Sequence, residues 1–249
     1  MVALDRIIAV RNRKTVYRDG DRCIKVFDET YSKADILNEA LNQARVENIG
    51  LNVPKILEVA MIHGKWAIIS EYIPGRTLED LMSKEPEKKE AFLGEFVDIQ
   101  MQVISKKCPL LNRLKEKMNR KISQADIDAT TRYELHTRLQ GMPNADQVCH
   151  GDFDPSNIII AENGPYIIDW SHVTQGNPEA DAARTYLRFW LSGNIQGAEK
   201  YLDIFCGKSG LEKKMVQRWM PIVATSQSVK SKPSEREFLL TWANVAEYQ

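Results

Sequence analysis

Three polar side chains, Asp152, Asn157 and Asp169, lie around short apolar runs, and their types suit one reaction. The stretch His150-Gly151-Asp152-Phe153-Asp154-Pro155-Ser156-Asn157 leads straight into Ile158-Ile159-Ile160. A turn signal, Glu162-Asn163-Gly164-Pro165, separates that run from Tyr166-Ile167-Ile168, and Asp169 follows at once. The pattern predicts a loop that enters a β-hairpin. Such a hairpin sets Asn157, at the mouth of one strand, beside Asp169, at the end of the other, with Asp152 in the loop. Asn157 and Asp169 are then two oxygen ligands of the kind Mg²⁺ takes, because that ion fills its other positions with waters and nucleotide phosphates. A lone carboxylate next to them can accept the proton of an attacking hydroxyl, so the trio suits phosphoryl transfer. A single aspartate in a turn ordinarily does no more than cap its own backbone. The combination, flanked by strands, is what points to chemistry.

The spacing resembles the catalytic loop and metal-binding aspartate of the protein-kinase-like superfamily. His150-Gly151-Asp152 stands where protein kinases have His-Arg-Asp, and Ile168-Asp169-Trp170 replaces Asp-Phe-Gly. With those changes the chain is similar to the aminoglycoside phosphotransferase and choline kinase-like family, whose members phosphorylate small molecules. The resemblance covers essentially the whole chain and is most specific at residues 150–170. It implies an α+β, two-lobed protein-kinase-like fold, with an N-terminal antiparallel sheet and one helix followed by a mainly helical C-terminal lobe. The lobes would be residues 1–72, which bind the nucleotide, and residues 73–249, which carry the catalytic loop and the acceptor pocket. The implied cofactors are ATP, with GTP as the alternative nucleotide, and Mg²⁺. The implied partner is a small molecule bearing a hydroxyl, whether aminoglycoside, choline-like amino alcohol or sugar. By the same resemblance Asp152 is the catalytic base, Asn157 and Asp169 are metal ligands, and His150 and Asp181 support the loop.

The elements needed to position these groups can be read upstream. Ile7–Val10, Thr15–Arg18 and Arg22–Phe27 alternate as strands, and Asp19-Gly20 is a strong hairpin turn signal. In the third strand Cys23, Lys25 and Phe27 share one face, and Ile24 and Val26 the other. A lysine inside an apolar strand either snorkels to solvent or has an anionic partner. In the resemblance Lys25 reaches the α- and β-phosphates and is held by a helix glutamate. The sequence from Ser32 to Asn48 reads as that helix, with Ser32 as N-cap and Ile36, Leu37, Ala40, Leu41 and Ala44 on its apolar side. Glu39 is the expected partner and Glu47 the alternative. Two more strands, Val53–Val59 and Trp66–Tyr72, complete a five-stranded antiparallel sheet, with Ile69 expected beside the nucleotide base. The backbone of Glu71 to Ile73 is expected at the adenine edge.

Beyond Thr77 the pattern is helical. Phe92, Phe96, Ile99 and Val103 form a stripe that faces a core, while Lys84–Lys89 and Lys106–Lys121 read as solvated mixed-charge segments. Asp181 opens a further helix, where its local role would be an N-cap. Between Val10 and Thr15 the family places a nucleotide-covering turn, often with glycine, but this chain has Arg11-Asn12-Arg13-Lys14. Arg13 or Lys14 would there supply charge in place of close backbone approach, or else these are solvated residues at a hairpin tip. That departure motivates a rival reading, a catalytically inactive kinase-like nucleotide-binding or interaction module. A protein kinase is disfavoured, because only 11 residues separate Asp169 from Asp181 and the sequence Ala-Pro-Glu is missing.

Composition narrows the rest. The 249 residues carry 34 basic and 34 acidic side chains, so no net field recruits nucleic acid and none favours a polycationic substrate. The four cysteines form no Cys-x-x-Cys pair, so reduced thiols are expected. Met1–Arg6 lacks a signal-peptide core, and no run approaches the ~20 apolar residues of a membrane span. A cytoplasmic protein with no membrane partner is expected; oligomeric state leaves no trace in the sequence.

Overall fold

Alternation along Arg22–Phe27 gives the chain two apolar sets to bury on opposite faces of one sheet. The computed structural model describes residues 6–11 and 13–244; of the turn at 11–14, Asn12 lies outside the described residues. In chain order the elements begin β1 (Arg6–Arg11), β2 (Lys14–Asp19), β3 (Arg22–Phe27), α1 (Lys33–Val46), β4 (Ile56–Ile62) and β5 (Lys65–Glu71). They continue with β6 (Arg76–Thr77), α2 (Leu78–Lys84), α3 (Lys89–Ile104), α4 (Leu114–Gln124), α5 (Ala129–Gly141) and β7 (Gln147–Cys149). The remainder is β8 (Ile158–Ala161), β9 (Gly164–Ile167), β10 (Thr174–Gly176), α6 (Pro178–Leu191), α7 (Ile195–Ser209), α8 (Lys213–Ser228) and α9 (Pro233–Thr241).

These elements form two compact units, residues 1–86 with 155–172 and residues 87–154 with 173–249. The units are cut differently from the lobes expected at 72/73, since residues 73–86 and the hairpin at 155–172 go with the sheet.

In the first unit β1–β5 form an antiparallel sheet in the order β1-β2-β3-β5-β4. Ile24, Val26, Ile62, Ala67 and Ile69 cluster on one face with Tyr17 and Ala60. Phe27 and Ile68 pack on the other, against Ile36 and Ala40 of α1. Each such fully buried large side chain contributes about 1.5–3 kcal/mol. Ser32 caps α1 as expected, its hydroxyl accepting the Asp35 N–H at 3.0 Å. The buried stripe of α1 differs from expectation: Leu37 and Leu41 are 42% and 47% exposed, and Ala44 is exposed, whereas Glu39 and Asn42 are buried. Hydropathy alone misplaces the stripe because a carboxylate with cationic partners can be buried in place of leucine. A second sheet runs β6-β8-β9, with Ile158 opposite Ile167. Gly75 passes so close to the Ile160 carbonyl that a Cβ there would overlap it.

The second unit is mainly helical. Phe96, Phe153, Tyr201, Phe205 and Trp219 fill its core, and the Tyr201 hydroxyl donates to Gln100 Oε1 at 2.7 Å. The segment 106–121 corrects the solvated reading, because Leu111, Leu114 and Met118 are buried. Leu114, Met118 and Ile122 recur at i, i+4 and i+8 and form the buried stripe of α4. Among the described residues, no helix is long and apolar enough to cross a membrane.

Candidate active site

In the first unit the strand lysine has its partner. Lys25 Nζ donates to Glu39 Oε1 at 2.8 Å, and Lys14 Nζ donates to Glu39 Oε2 at 3.0 Å. One glutamate, 8% exposed at its side chain, thus holds two lysines. Glu47, the alternative, is engaged elsewhere: its Oε1 accepts the Ile56 N–H at 2.7 Å. Burial pulls the Lys25 ammonium down, but Asp169 and Glu39 outweigh it and push it up overall. Lys14 also lies over the rings of Phe27 and Tyr31 at 5.3 and 5.5 Å from their centroids. The turn before it contains no glycine, yet Arg13 takes a left-handed φ of 63°. Arginine there accepts a strain that glycine would avoid.

The hairpin forms as expected, one residue shorter at its end. Asn157 closes a 3₁₀ turn at Pro155–Asn157 and is buried. Its carbonyl accepts the Ile168 N–H at 2.9 Å, which brings the end of one strand to the start of the other. Asp169 follows with φ 62°, an unusual conformation for a non-glycine residue. Its Oδ1 is buried with no hydrogen-bond partner among the described residues and lies 3.7 Å from Lys25 Nζ. Burial raises the Asp169 carboxyl, but Lys25 and then Lys14 bring it well below the usual carboxylate range. An orphaned buried anionic oxygen beside an asparagine-bearing strand end fits a hard divalent cation that takes few protein oxygens. Among the described residues no cluster of three or more His, Cys, Asp or Glu could hold a metal unaided.

The residues expected at the nucleotide base divide. Ile69 is 1% exposed and packs with Ile24 and Val26, on the face opposite Lys25. Ser70, which pairs with Cys23, shares the Lys25 side instead. Glu71 uses its N–H on the Lys55 carbonyl at 3.0 Å, and its carboxylate accepts the Lys55 N–H at 3.1 Å. Ile73 follows the end of β5 in a segment without regular structure.

In the second unit α6 organises the loop that bears Asp152. The helix begins at Pro178, so Asp181 is not its N-cap; that position is Asn177. Asp181 instead accepts the His150 N–H at 3.2 Å and the Gly151 N–H at 2.7 Å. Burial pushes its carboxyl up, against the pull of His150 and those two donors. Gly151 has φ 78°, which explains glycine in place of arginine at this point. The His150 ring is fully buried and its Nδ1 accepts the Asp152 N–H at 3.3 Å. Thr185 donates to the Phe153 carbonyl at 2.9 Å. Arg184 and Arg188 face Asp152 Oδ1 at 3.6 and 3.8 Å, and Arg188 also reaches Asp154 at 3.3 Å.

Asp181, Arg184, Thr185 and Arg188 recur at i, i+3, i+4 and i+7, a polar stripe on one helix face. That periodicity was present in the sequence and would have found both arginines. Lys117 of α4 was also missed. Burial, then Arg184 and Lys121, draw its ammonium down to about 7, against the opposing pull of Asp181 and Asp152.

Residues 9–206 match the model of the phosphotransferase enzyme family. No curated protein matches the sequence. A choline/ethanolamine kinase family protein from Mesorhizobium loti superposes with a TM-score of 0.66 at 16% identity, covering 97% of this chain and 86% of that one. Choline kinase LicA from Streptococcus pneumoniae gives 0.65 at 15% identity, covering 98% and 92%. A thermostable mutant of aminoglycoside phosphotransferase APH(4)-Ia, in ternary complex with ADP and hygromycin B, gives 0.66 at 14%, covering 95% and 89%. At those identities the likeness establishes the protein-kinase-like fold, while the match over residues 9–206 goes further: the chain belongs to the phosphotransferase enzyme family and is a small-molecule kinase.

Proposed function

We propose that the chain transfers the γ-phosphoryl group of ATP, in the presence of Mg²⁺, to a hydroxyl of a small molecule. The observation that carries the reading is the buried, orphaned Oδ1 of Asp169, 3.7 Å from a lysine that Glu39 holds at 2.8 Å. Asn157 and Asp169 would hold Mg²⁺, which supplies charge neutralisation at the phosphates. Lys25 contacts the α- and β-phosphates, and Glu39 keeps it extended. Lys14, tied to the same glutamate, supplies the positive charge expected of the glycine-free turn. The backbone of Glu71 to Ile73 receives the adenine edge; Ile69 supports that strand from its opposite face. Asp152 orients the acceptor and takes its proton, with His150 and Asp181 fixing the loop. Residues 1–86 with 155–172 would thus serve the nucleotide and its metal, and residues 87–154 with 173–249 the acceptor and the loop that bears Asp152. The zero net charge supports an acceptor that is neither nucleic acid nor membrane.

The test is ADP release with Mg²⁺-ATP over a panel of hydroxyl-bearing small molecules, run beside Asp152→Ala. Acceptor-dependent release that disappears in the variant is the expected result. Release that survives in Asp152→Ala overturns the assignment of the base. Binding of Mg²⁺-ATP without turnover on any acceptor would favour the inactive nucleotide-binding module.

A further inference from the structure

Two turns of the five-stranded sheet, β1–β2 and β4–β5, border a cavity of about 430 Å³. Val26 and Ile62 line it, both buried in the cluster on the sheet face opposite Lys25, and Tyr17 packs against that cluster. By parity the cavity opens on the face turned away from Lys25. Arg13, His63 and Lys65 line it too, and all three are exposed, so a solute can reach them. Among the described residues none of the three has an ion pair or a side-chain hydrogen bond.

Two further charges border the cavity, and both are engaged. Lys14 is committed to Glu39 at 3.0 Å. Asp28 accepts the Thr30 N–H at 2.8 Å and the Thr30 hydroxyl at 2.5 Å. Those bonds first, and then Arg13 and Lys65, hold its carboxyl below the ordinary value. Arg13 and Lys65 thus face one carboxylate, which leaves one positive charge uncompensated, and a second when His63 is protonated. Both turns also hold a non-glycine residue at positive φ, Arg13 at 63° and His63 at 48°. Tight hairpin turns ordinarily take asparagine, aspartate or glycine there, and backbone strain of this kind collects at ligand clamps.

We propose that this cavity is a second ligand site, for a small organic phosphate whose charged group is held by Arg13, His63 and Lys65 and whose apolar body rests on Val26 and Ile62. The volume is of the size usual for small-molecule pockets, roughly 300–1,000 Å³. A phosphate monoester carries between one and two negative charges near neutrality, the charge that the rim lacks. The anion in turn favours the protonated form of His63, so that binding and protonation reinforce each other. An uncharged alcohol of the same body would leave the cations unmatched, and inorganic phosphate would leave the apolar lining in water. The site goes beyond the phosphotransferase reading: among the described residues Lys25, Glu39, Asn157 and Asp169 do not line it.

The experiment is NMR on the full chain, with phenyl phosphate as the probe. Of the four histidines only His63 lines the cavity, so its imidazole signals, assigned with His63→Gln, report binding there. A saturable shift of those signals is expected, with an upward move of the His63 titration midpoint. Phenol and inorganic phosphate are each expected to bind about tenfold or more weakly. Lys65→Gln and Arg13→Gln are expected to weaken phenyl phosphate by a similar factor, while unmoved signals of His136, His150 and His172 show that the variants fold. No response at His63, an equal affinity for phenol or inorganic phosphate, or an unchanged affinity in both variants overturns the proposal.

Discussion

Lys14 and Lys25 meet one glutamate at 3.0 and 2.8 Å, whereas Arg184 and Arg188 stand 3.6 and 3.8 Å from one aspartate. The first cluster is balanced, with two lysines set against Glu39 and Asp169. Mutual attraction holds Lys25 up and Asp169 down despite burial. In the second, two arginines face one aspartate across longer gaps, and Arg188 is shared with Asp154. A group that is the same for every reaction, a nucleotide phosphate, can be met by a closed and rigid arrangement. On the proposed reading the first cluster serves the nucleotide, and the second holds the loop that bears Asp152.

The largest expected effect comes from removing the base. Asp152→Ala should lose about 10²–10⁴-fold in kcat, the usual contribution of general-base catalysis, while calorimetry finds Mg²⁺-AMP-PNP affinity unchanged. If nucleotide affinity fell as well, the two clusters would not divide the work as described. Next, Asp169→Ala should weaken Mg²⁺-dependent nucleotide binding by more than the roughly 10–100-fold that loss of an outer-shell partner costs. No difference between titrations with and without Mg²⁺ in the native chain would break the first half of the comparison. Glu39→Gln should reduce stability by about 3 kcal/mol, the low end for a broken buried pair because both lysines keep some solvent contact. Denaturant midpoints measure it.

A smaller effect depends on pH. The ammonium of Lys117 lies near 7 in the folded chain, against an ordinary value of 10.5. The unfolded chain therefore binds more protons between those values, and stability gains from this residue as pH rises through that window. Burial is the first cause; Arg184, Lys121, Asp181 and Asp152 are the charges around it. Lys117→Met should be stabilising below pH 7 relative to the native chain and lose that advantage towards pH 10.5, by chemical denaturation at each pH. A pH-independent difference would show that the field at Lys117 is not the one described. The smallest effect belongs to Arg13→Gly, which removes left-handed strain but adds chain entropy, for a net change within about 1 kcal/mol. A large loss of nucleotide affinity in this variant would move phosphate recognition from Lys14 to Arg13.

Much of this was legible because it rests on local pattern. Alternation around Lys25, the turn at Asp19-Gly20 and the apolar runs flanking Glu162-Asn163 specify the sheet and the hairpin, and the polar trio is close in sequence. What escaped depends on partners distant in the chain. Leu37 and Leu41 look like core but are exposed, because α1 turns Glu39 inward to two lysines. Ile69 lies on the face opposite Lys25, and one residue along Ser70 faces the other way, a parity that the run Trp66–Tyr72 does not fix relative to Lys25. Lys117 lies in a stretch whose composition reads as solvated, and only the packing of α4 places it in the field of Arg184. Arg184 and Arg188 were within reach of helical periodicity, since they follow Asp181, expected to support the loop, at i+3 and i+7.

The first unit is assembled from residues 1–86 and a return segment, 155–172. During synthesis, then, the five-stranded sheet can emerge early, but β6 has no partner until Ile159 and Ile160 arrive to pair with it. Asn157 and Asp169 arrive in the same late segment. A nascent chain stopped before residue 155 would hold Lys25 and Glu39 with neither of those oxygen ligands, so the ability to take up a metal–nucleotide complex should switch on only after Asp169 has cleared the ribosome. Excising residues 1–86 as a minimal nucleotide-binding piece would fail for the same reason, whereas a permuted chain that joins the return segment directly to the sheet would carry every first-unit residue in one continuous stretch.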